Sequence, residues 1–377
     1  MKSIFYGRHK IFNDDFKAVK DVLKSDFLTS GERLLDFEQK IIDFCGCKYA
    51  IAVSNATSGL HITNLAIGIK ETSLTWTSPN SFVASSNSAI LCGSDVDFVD
   101  IDIETRNISI SYLELKLKKE KKIPDLLIPV HFAGLPCNMS SIYKLKKKFN
   151  FKIVEDASHA FGSSINNERT GSCKWSDACV FSFHPVKMFT TAEGGVVTTN
   201  NKALARKIRM LRDHGIDRNY YSKEKPWHKP QKFLGLNYRM NEIQAALGIS
   251  QLSKINHFLN VRKRLAINYG IQLKTIEAIK LPKIYDDIQS SWHLYTILLE
   301  NLKKKREFYE FMKKKNIFLQ VHYTPIHLNP YYKKLGFKKK MFPNSEEYAD
   351  KAITLPIHLS ITKTDFKNII KAIKEFF

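Results

Sequence analysis

Apolar residues at helical spacing mark two segments near the start of the chain. A spacing of three or four residues puts apolar side chains on one face of a helix, and a preceding Asn or Asp can cap its first turn. The pattern therefore predicts two amphipathic helices before residue 48. Their apolar faces consist of Phe16, Val19 and Leu23 after a capping Asn13 or Asp14, and of Leu34, Phe37, Ile41 and Phe44.

From about residue 48 the pattern changes to short apolar runs that alternate with helical segments. Such alternation is typical of α/β proteins, in which helices cover both faces of a largely parallel sheet. The sequence therefore predicts a sheet of this kind. The predicted strands lie at residues 49–53, 96–99, 126–131, 152–155, 178–183 and 195–199, and predicted helices include 140–149 and 202–212.

The last third of the chain has a different order of elements. Residues 292–299 and 317–322 have the pattern of strands, and residues 308–314 and 366–376 have the pattern of helices. This mixture predicts a smaller α+β domain. We therefore expect a large α/β domain at residues 1–257, with an N-terminal helical arm, and a small domain at residues 258–377.

The chain of 377 residues carries a formal net charge of +22. Its lysines occur in short clusters that are scattered along the sequence, at residues 116–122, 146–148, 303–305 and 338–340. This distribution favours solvated helix faces, while a role in attracting anionic ligands stays open. Nucleic-acid binding is the weaker interpretation, because no platform of basic and aromatic residues is visible.

The spacing of the cysteines and the length of the apolar runs indicate the cellular compartment of the protein. Residues 1–8 lack the apolar run of a secretion signal, and no stretch approaches the roughly 18 apolar residues of a membrane span. The six cysteines form no CxxC pair, which favours reduced thiols over a disulfide framework or a zinc site. We therefore expect a soluble, cytoplasmic protein without a metal site, a membrane span or a nucleic-acid partner.

Three polar segments follow predicted strands, where ligands collect in open parallel sheets. Thr57 and Ser58 open a helix whose N-terminus can bind an anion, although an ordinary helix cap uses the same residue types. Asp156 can hold the ring nitrogen of a pyridine cofactor protonated, or simply form a turn. Burial can lower the pKa of Lys187 and free its amine for a Schiff base, although most lysines are surface groups.

The residues around Lys187 favour the cofactor interpretation. Segment 182–195 reads Ser-Phe-His-x-x-Lys-x-x-Thr-Thr-x-Glu-Gly-Gly and resembles the cofactor-lysine signature of the DegT-type sugar aminotransferases. The resemblance implies a fold-type-I pyridoxal-phosphate enzyme with a mostly parallel seven-stranded sheet flanked by helices. Further motifs similar to those of this family occur in the same order along nearly the whole chain, at residues 54–60, 79–84, 156–160, 237–242 and 321–325.

The resemblance implies a role for each matching residue. Lys187 would bond the aldehyde of pyridoxal 5′-phosphate and move a proton during catalysis. Asp156 would pair with the cofactor's ring nitrogen, and His159 would lie near its phenolic oxygen. A homodimer with shared active sites is also implied. The other implied cofactor contacts are Phe82, stacked on the ring, Thr57, Ser58 and Ser182 at the phosphate, and Asn237 at the phosphate of the neighbouring subunit's cofactor.

Three further residues are predicted to contact substrates. Arg239 would bind the carboxylate of glutamate or the phosphates of a nucleotide, and an ordinary salt bridge is an equal alternative for it. His322 and Tyr323 would line the sugar site. By resemblance to the family, L-glutamate donates the amino group and leaves as 2-oxoglutarate, and a nucleotide-linked keto-sugar receives it.

Within the family, the motifs are most similar to the branch that serves pseudaminic acid biosynthesis. That branch aminates C4 of a UDP-linked 4-keto-6-deoxy-N-acetylhexosamine and forms UDP-4-amino-4,6-dideoxy-N-acetyl-β-L-altrosamine. Met188 and Phe189 depart from its usual pattern. Three alternatives stay open: an aminotransferase for another dTDP- or UDP-linked keto-sugar, a sugar dehydratase of the related branch in which His replaces the lysine, and a non-catalytic regulatory protein that binds pyridoxal phosphate.

Overall fold

The computed structural model describes residues 3–377. The strands of this part of the chain are β1 (Ile4–Phe5), β2 (Tyr49–Val53), β3 (Leu74–Thr77), β4 (Asp95–Phe98), β5 (Leu126–Ile128), β6 (Lys152–Asp156), β7 (Ser164–Ile165), β8 (Glu168–Arg169), β9 (Ala178–Ser182), β10 (Gly195–Thr199), β11 (Ile279–Lys280), β12 (Ile288–Gln289), β13 (Tyr295–Leu299), β14 (Ile317–Phe318) and β15 (Ala352–Leu355). Its helices are α1 (Asn13–Leu23), α2 (Glu32–Cys45), α3 (Ala56–Ile67), α4 (Ala84–Ile90), α5 (Ile110–Lys119), α6 (Met139–Phe149), α7 (Lys202–Arg212), α8 (Glu242–Leu252), α9 (Ile255–Leu273), α10 (Lys304–Lys314), α11 (Pro330–Lys334), α12 (Pro343–Lys351) and α13 (Lys363–Phe376), with single 3₁₀ turns at Phe132–Gly134 and Ile326–Leu328.

Seven strands form the central sheet, in the order β2-β10-β9-β6-β5-β3-β4. Neighbouring strands from β9 to β4 are parallel, and β10 runs antiparallel to both of its neighbours. All five residues of β10 are buried, as expected where helices cover both faces of a sheet. The predicted mostly parallel seven-stranded sheet is confirmed.

Helices cover the two faces of this sheet. On one face α2 packs Phe37 and Ile41 into a cluster that contains Phe181 of β9. On the other face α3 contributes Leu60 to a cluster with Val197 of β10. Among residues 3–377, no helix is long and apolar enough to cross a membrane.

The apolar face predicted for the first helix was wrong. In α1, Phe16 and Leu23 are 66% and 58% exposed, whereas Asp15 and Val22 are buried. The carboxylate of Asp15 accepts a hydrogen bond of 2.6 Å from the hydroxyl of Ser250. A buried polar contact therefore orients the helix, and spacing of apolar residues alone does not reveal such a contact. The face predicted for α2 is correct, because Leu34, Phe37 and Ile41 are buried.

Most other predicted elements are present with different ends. The strand predicted at 126–131 stops at Ile128, and the one predicted at 317–322 contains only Ile317 and Phe318. The residues after Phe318 leave the ladder, because Gln320 pairs only through an isolated bridge with Thr354. Strand β3 is not among the strands that the apolar pattern predicts, and it pairs with both β4 and β5.

A second sheet lies in the C-terminal part of the chain. Strands β11, β13 and β15 form it, with antiparallel pairing throughout, and its core includes residues from α10 and α13. This agrees with the predicted α+β arrangement. Helix α9 contributes Phe258 to the core of the large sheet and Tyr269 to that of the small one. The boundary at 257/258 lies inside this shared helix and stays a prediction.

Candidate active site

Side chains at one edge of the central sheet surround a cavity of about 770 Å³. Strands β2, β6 and β9 run in the same direction, so their carboxyl ends lie at this edge, where ligands bind in sheets of this type. Residues 320–323, which follow β14, line the cavity as well. Nine of the predicted site residues line it: Thr57, Ser58, Phe82, Asp156, His159, Ser182, Lys187, His322 and Tyr323.

The N-terminus of α3 points into this cavity. Asn55 caps the helix, because its side chain accepts the N–H of Ser58 at 2.8 Å. The hydroxyl of Ser58 is engaged in the same cap and donates to the carbonyl of Asn55 at 2.7 Å. Within residues 3–377 no backbone group accepts the N–H of Ala56 or Thr57. Free N–H groups and the helix dipole make this turn suitable for an anion such as a phosphate.

Gly195 allows strand β10 to pass close to this turn. A Cβ atom at Gly195 would lie 2.8 Å from the backbone nitrogen of Ala56 and 2.9 Å from the carbonyl oxygen of Phe181. Real Cβ atoms do not approach backbone atoms so closely, so any larger residue would push β10 and the start of α3 apart. The position of the turn at the start of α3 therefore depends on glycine at residue 195.

Lys187 reaches the cavity from the loop between β9 and β10. Its backbone N–H donates to the carbonyl of His184 at 2.9 Å. Burial of the amine lowers the pKa of Lys187 to about 8, and the negative charge of Asp156 opposes this shift. A lysine with this pKa is partly neutral near neutral pH, which is the form that attacks a carbonyl.

Asp156 ends β6 and its carboxylate is held by hydrogen bonds from two serines. The hydroxyl of Ser85 donates to Oδ2 at 2.7 Å, and that of Ser158 donates to Oδ1 at 2.6 Å. The residue is 5% exposed. These bonds fix the orientation of a carboxylate that can pair with a protonated ring nitrogen.

Two histidines and a tyrosine form the wall opposite the α3 turn. The Nε2 atom of His159 lies 3.2 Å from the hydroxyl of Tyr323, and Nδ1 of His322 lies 2.9 Å from the hydroxyl of Thr354. Burial lowers the pKa of His159 well below its usual value and lowers that of His322 to about 3. Both imidazoles are therefore neutral at physiological pH.

Two predicted residues lie outside this cavity. Arg239 forms an ion pair with Asp213 and lines a separate basic cavity of about 680 Å³. Asn237 is exposed and pairs with Asp213 through an isolated bridge. Within one chain, Arg239 thus forms an ordinary salt bridge, which is the alternative role considered for it in the sequence. The roles of both residues toward a ligand stay predictions.

One protein family has a sequence pattern that this chain matches over nearly its whole length. The model of the DegT/DnrJ/EryC1/StrS aminotransferase family matches residues 9–374. The chain belongs to this aminotransferase family. The predicted membership is confirmed.

Curated relatives of this aminotransferase cover nearly its full length. It is 36% identical over 366 residues to the UDP-4-amino-4,6-dideoxy-N-acetyl-β-L-altrosamine transaminase of Campylobacter jejuni serotype O:23/36, with 97% of this chain and 95% of that protein aligned. It is 37% identical over 372 residues to an uncharacterized protein of Methanocaldococcus jannaschii, and the alignment covers 97% of this chain and 95% of that protein.

Solved structures confirm the fold of this aminotransferase. Helicobacter pylori PseC, described as an aminotransferase involved in the biosynthesis of pseudoaminic acid, superposes with a TM-score of 0.92 at 33% identity and covers 100% of this chain and 99% of that one. The PLP form of a sugar aminotransferase from Streptococcus pneumoniae has a TM-score of 0.91 at 24% identity, with 100% and 98% covered, and supports the fold alone.

Several residues that line the cavity or contact its lining were not predicted from the sequence of this aminotransferase. Ser85 lies within a serine-rich segment that gives no sign of its bond to Asp156. Tyr6 and Gln320 reach the cavity from distant parts of the chain, so only the fold brings them there. Glu193 also lines it and was part of the motif, but no role was assigned to it.

The side chains of this cavity suit pyridoxal 5′-phosphate. The free N–H groups of the α3 turn and the hydroxyl of Ser182 suit a phosphate, Asp156 suits a protonated pyridine nitrogen, and Lys187 supplies a partly neutral amine. Phe82 is 57% exposed and lines the cavity, which leaves its ring free to stack on a planar group. Within residues 3–377, no group of His, Cys, Asp or Glu is arranged to hold a metal ion.

Proposed function

We propose that this chain uses pyridoxal 5′-phosphate to transfer the amino group of L-glutamate to C4 of UDP-4-keto-6-deoxy-N-acetyl-β-L-altrosamine. The observation that carries the proposal is one cavity that contains the amine of Lys187, the carboxylate of Asp156 and the N-terminus of α3. The sugar is proposed from the name of the C. jejuni relative, which is 36% identical over 97% of this chain. The reaction would supply the pathway to pseudaminic acid.

Lys187 would act at two stages. Its neutral Nζ would bond the cofactor when no substrate is present. When it is not bonded to the cofactor, Nζ would accept the proton from the α-carbon of glutamate in one half-reaction and deliver a proton to C4 of the sugar in the other. A pKa of about 8 suits this exchange, because the amine can then take and give a proton near neutral pH.

Other residues would orient the cofactor. Bound in this cavity, pyridoxal 5′-phosphate would supply an aldehyde that takes up the amino group and a ring that withdraws electrons. Asp156, fixed by Ser85 and Ser158, would hold its ring nitrogen protonated. Thr57 and Ser182, together with the α3 turn, would bind its phosphate.

The proposal includes a homodimer with shared sites. Asn237 and Arg239 lie on the same segment outside the cavity of their own chain, and Asn237 is exposed. From this position they would reach the cavity of a second copy, where Asn237 would contact the cofactor phosphate and Arg239 would bind glutamate or the nucleotide. His322 and Tyr323 would line the sugar site of their own chain.

The proposed substrate is tested with a panel of keto-sugar nucleotides. Purified protein, L-glutamate and each UDP- or dTDP-linked keto-sugar are incubated, and amino-sugar and 2-oxoglutarate are measured by mass spectrometry. The UDP-linked 4-keto altrosamine derivative should give the highest kcat/KM. Preference for another keto-sugar would replace the proposed substrate, and no amination of any sugar would support a non-catalytic role.

The assignment of Lys187 is tested by substitution. Lys187→Ala should abolish both the yellow colour that borohydride removes and all amination, because Lys187 is the only lysine among residues 3–377 that lines the cavity. Lys371→Ala, at an exposed position on α13, is the matched control and should keep both. Full activity of Lys187→Ala would refute the assigned role.

A further inference from the structure

A backbone N–H determines which nitrogen of His159 carries a proton. The N–H of Ala133 points at Nδ1 of this imidazole at 3.3 Å. A backbone N–H can only donate, so Nδ1 must offer its lone pair. The proton of the neutral ring then lies on Nε2, which is 3.2 Å from the hydroxyl of Tyr323. His159 is therefore the donor in this bond, and the oxygen of Tyr323 is the acceptor.

Other protonation states conflict with the surroundings of His159. A proton on Nδ1 would face the N–H of Ala133, so that two donors would point at each other. A doubly protonated ring has the same conflict and adds a positive charge near Lys187. Burial and the neighbouring Lys187 both lower the pKa of His159, which keeps the ring neutral.

Ala133 is held firmly enough to impose this state. It adopts a left-handed backbone conformation with φ of 58°, which is uncommon for a residue other than glycine. Its carbonyl accepts the N–H of Leu294 at 3.3 Å, and the preceding Phe132 donates its N–H to the side chain of Asn107 at 2.8 Å. The strained turn is fixed on both sides, as is common at functional sites.

The proton of Tyr323 has no acceptor within residues 3–377. The hydrogen bonds of this part of the chain give the hydroxyl a single partner, His159, and the residue lines the cavity. Its ring lies 6.0 Å from that of Phe82, centroid to centroid. Burial raises the pKa of the Tyr323 phenol, so the hydroxyl keeps its proton across the physiological range.

The geometry points to Tyr323 as a hydrogen-bond donor to an oxygen of the bound ligand, with His159 as the positioning residue that aims it. This inference rests on the proposed function, because it names the group that recognises the ligand in the same cavity. Both nitrogens of His159 already have protein partners, so the proton available to the ligand belongs to Tyr323. The acceptor is either the phenolic oxygen of the cofactor or an oxygen of the sugar.

The state of His159 can be measured without any catalysis. The ¹⁵N shifts of labelled histidine distinguish a nitrogen with a proton from one without, and His159→Gln identifies the signal of this residue in the holoenzyme. We expect a protonated Nε2 and a bare Nδ1 throughout the neutral pH range. A proton on Nδ1 would overturn the inference even if the proposed reaction is found, and a failed amination assay would leave this result intact.

The substitution Tyr323→Phe tests which ligand oxygen accepts the hydrogen bond of the Tyr323 hydroxyl. If the acceptor belongs to the cofactor, the variant should shift the pH midpoint of the visible absorption band of the holoenzyme. If the acceptor belongs to the sugar, the band should stay and the KM of the keto-sugar should rise about tenfold, as for the loss of one good hydrogen bond. The inference is overturned if both the band and the KM are unchanged.

A double-mutant cycle tests whether His159 acts through Tyr323. The amide nitrogen of His159→Gln can replace the Nε2 donor, whereas the shorter His159→Asn cannot reach Tyr323. We expect the Asn variant to reproduce the effect of Tyr323→Phe, and the Gln variant to recover most of the loss. His159→Asn should have no further effect in the Tyr323→Phe background. Additive effects, or equal losses for Gln and Asn, would contradict a positioning role.

Discussion

The amine of Lys187 gains its reactivity from removal of water. Burial lowers the pKa of Lys187 to about 8, while Asp156 limits the shift. The carboxylate of Asp156 is in turn fixed by Ser85 and Ser158. The cavity therefore brings a partly neutral amine and a fixed carboxylate together, and the two groups would suit opposite ends of one pyridine ring.

The lowered pKa of Lys187 predicts how the rate of cofactor binding depends on pH. A lysine with a lowered pKa loses its proton as the pH rises through that value, so the reactive neutral form should become dominant above about pH 8. The rate at which cofactor-free protein turns yellow with added pyridoxal phosphate should rise up to that pH and then level off. Stopped-flow absorbance at a series of pH values measures it.

An ordinary surface lysine would behave differently in that experiment. Its rate would continue to rise toward about pH 10.4, the usual pKa of the group. Lys187→Ala should show no saturable phase at any pH, and Lys371→Ala should reproduce the profile of the unchanged protein. A rate that still rises steeply between about pH 9 and 10 would contradict the lowered pKa.

At the scale of elements, the conformation of the proposed phosphate-binding turn depends on how closely β10 passes the start of α3. Gly195→Ala would place a Cβ atom 2.8 Å from the backbone nitrogen of Ala56. We expect the turn to move, the dissociation constant of the cofactor to rise at least tenfold, and the protein to lose about 1–3 kcal/mol of stability, as in other overpacked sites. Fluorescence titration and urea unfolding measure the two effects.

Gly270→Ala is the matched control for that substitution. Gly270 lies in α9, and a Cβ atom there would meet no atom within 4 Å. Alanine favours a helix over glycine by about 1 kcal/mol, so this variant should be equally or more stable and should bind the cofactor normally. If the two variants behaved alike, the close approach at Gly195 would have no role in the site.

The sequence predicted the parts of this site that are local. Asp156 is the last residue of β6, and Thr57 and Lys187 lie within a few residues after β2 and β9, so a strand prediction and a motif were enough to place them. Ser85 and the bond between His159 and Tyr323 depend on contacts between distant segments, which periodicity does not encode. The wrong face of α1 has the same cause, since the buried contact that orients it comes from a helix more than two hundred residues away.

At the scale of the whole molecule, the proposed homodimer with shared active sites predicts how mixtures of two variant subunits behave. Asn237→Ala should weaken cofactor binding, while Asn260→Ala, at an exposed position on α9, should not. A dimer that combines a Lys187→Ala subunit with an Asn237→Ala subunit has one site with both residues intact. Co-expression of the two chains should therefore give a mixed dimer with one active site that binds the cofactor normally, which neither variant forms alone. Unchanged cofactor affinity in Asn237→Ala, or the absence of such a site in the mixed dimer, would refute the contact between subunits.

Arg262 connects the small sheet to the segment that carries the reactive lysine. The residue is 2% exposed, and its guanidinium donates to the carbonyls of Ile357 at 2.7 Å and Trp292 at 3.2 Å and lies 3.5 Å from that of Lys187. Burial lowers the pKa of Arg262 to about 10, so the group stays charged at neutral pH. Several buried carbonyls from separate segments thus depend on one cation.

Loss of the Arg262 guanidinium should lower the free energy of unfolding by more than the loss of packing volume alone predicts. In Arg262→Met the side chain keeps most of its bulk, but the carbonyls lose their donor, and we expect about 3 kcal/mol less stability from urea unfolding at equal protein concentration. The cofactor should also bind more weakly, because one of these carbonyls belongs to Lys187. Arg264→Met, at an exposed position two residues further on, should stay within about 0.5 kcal/mol of the unchanged protein. Equal stability of the two variants would mean that packing alone joins the two sheets.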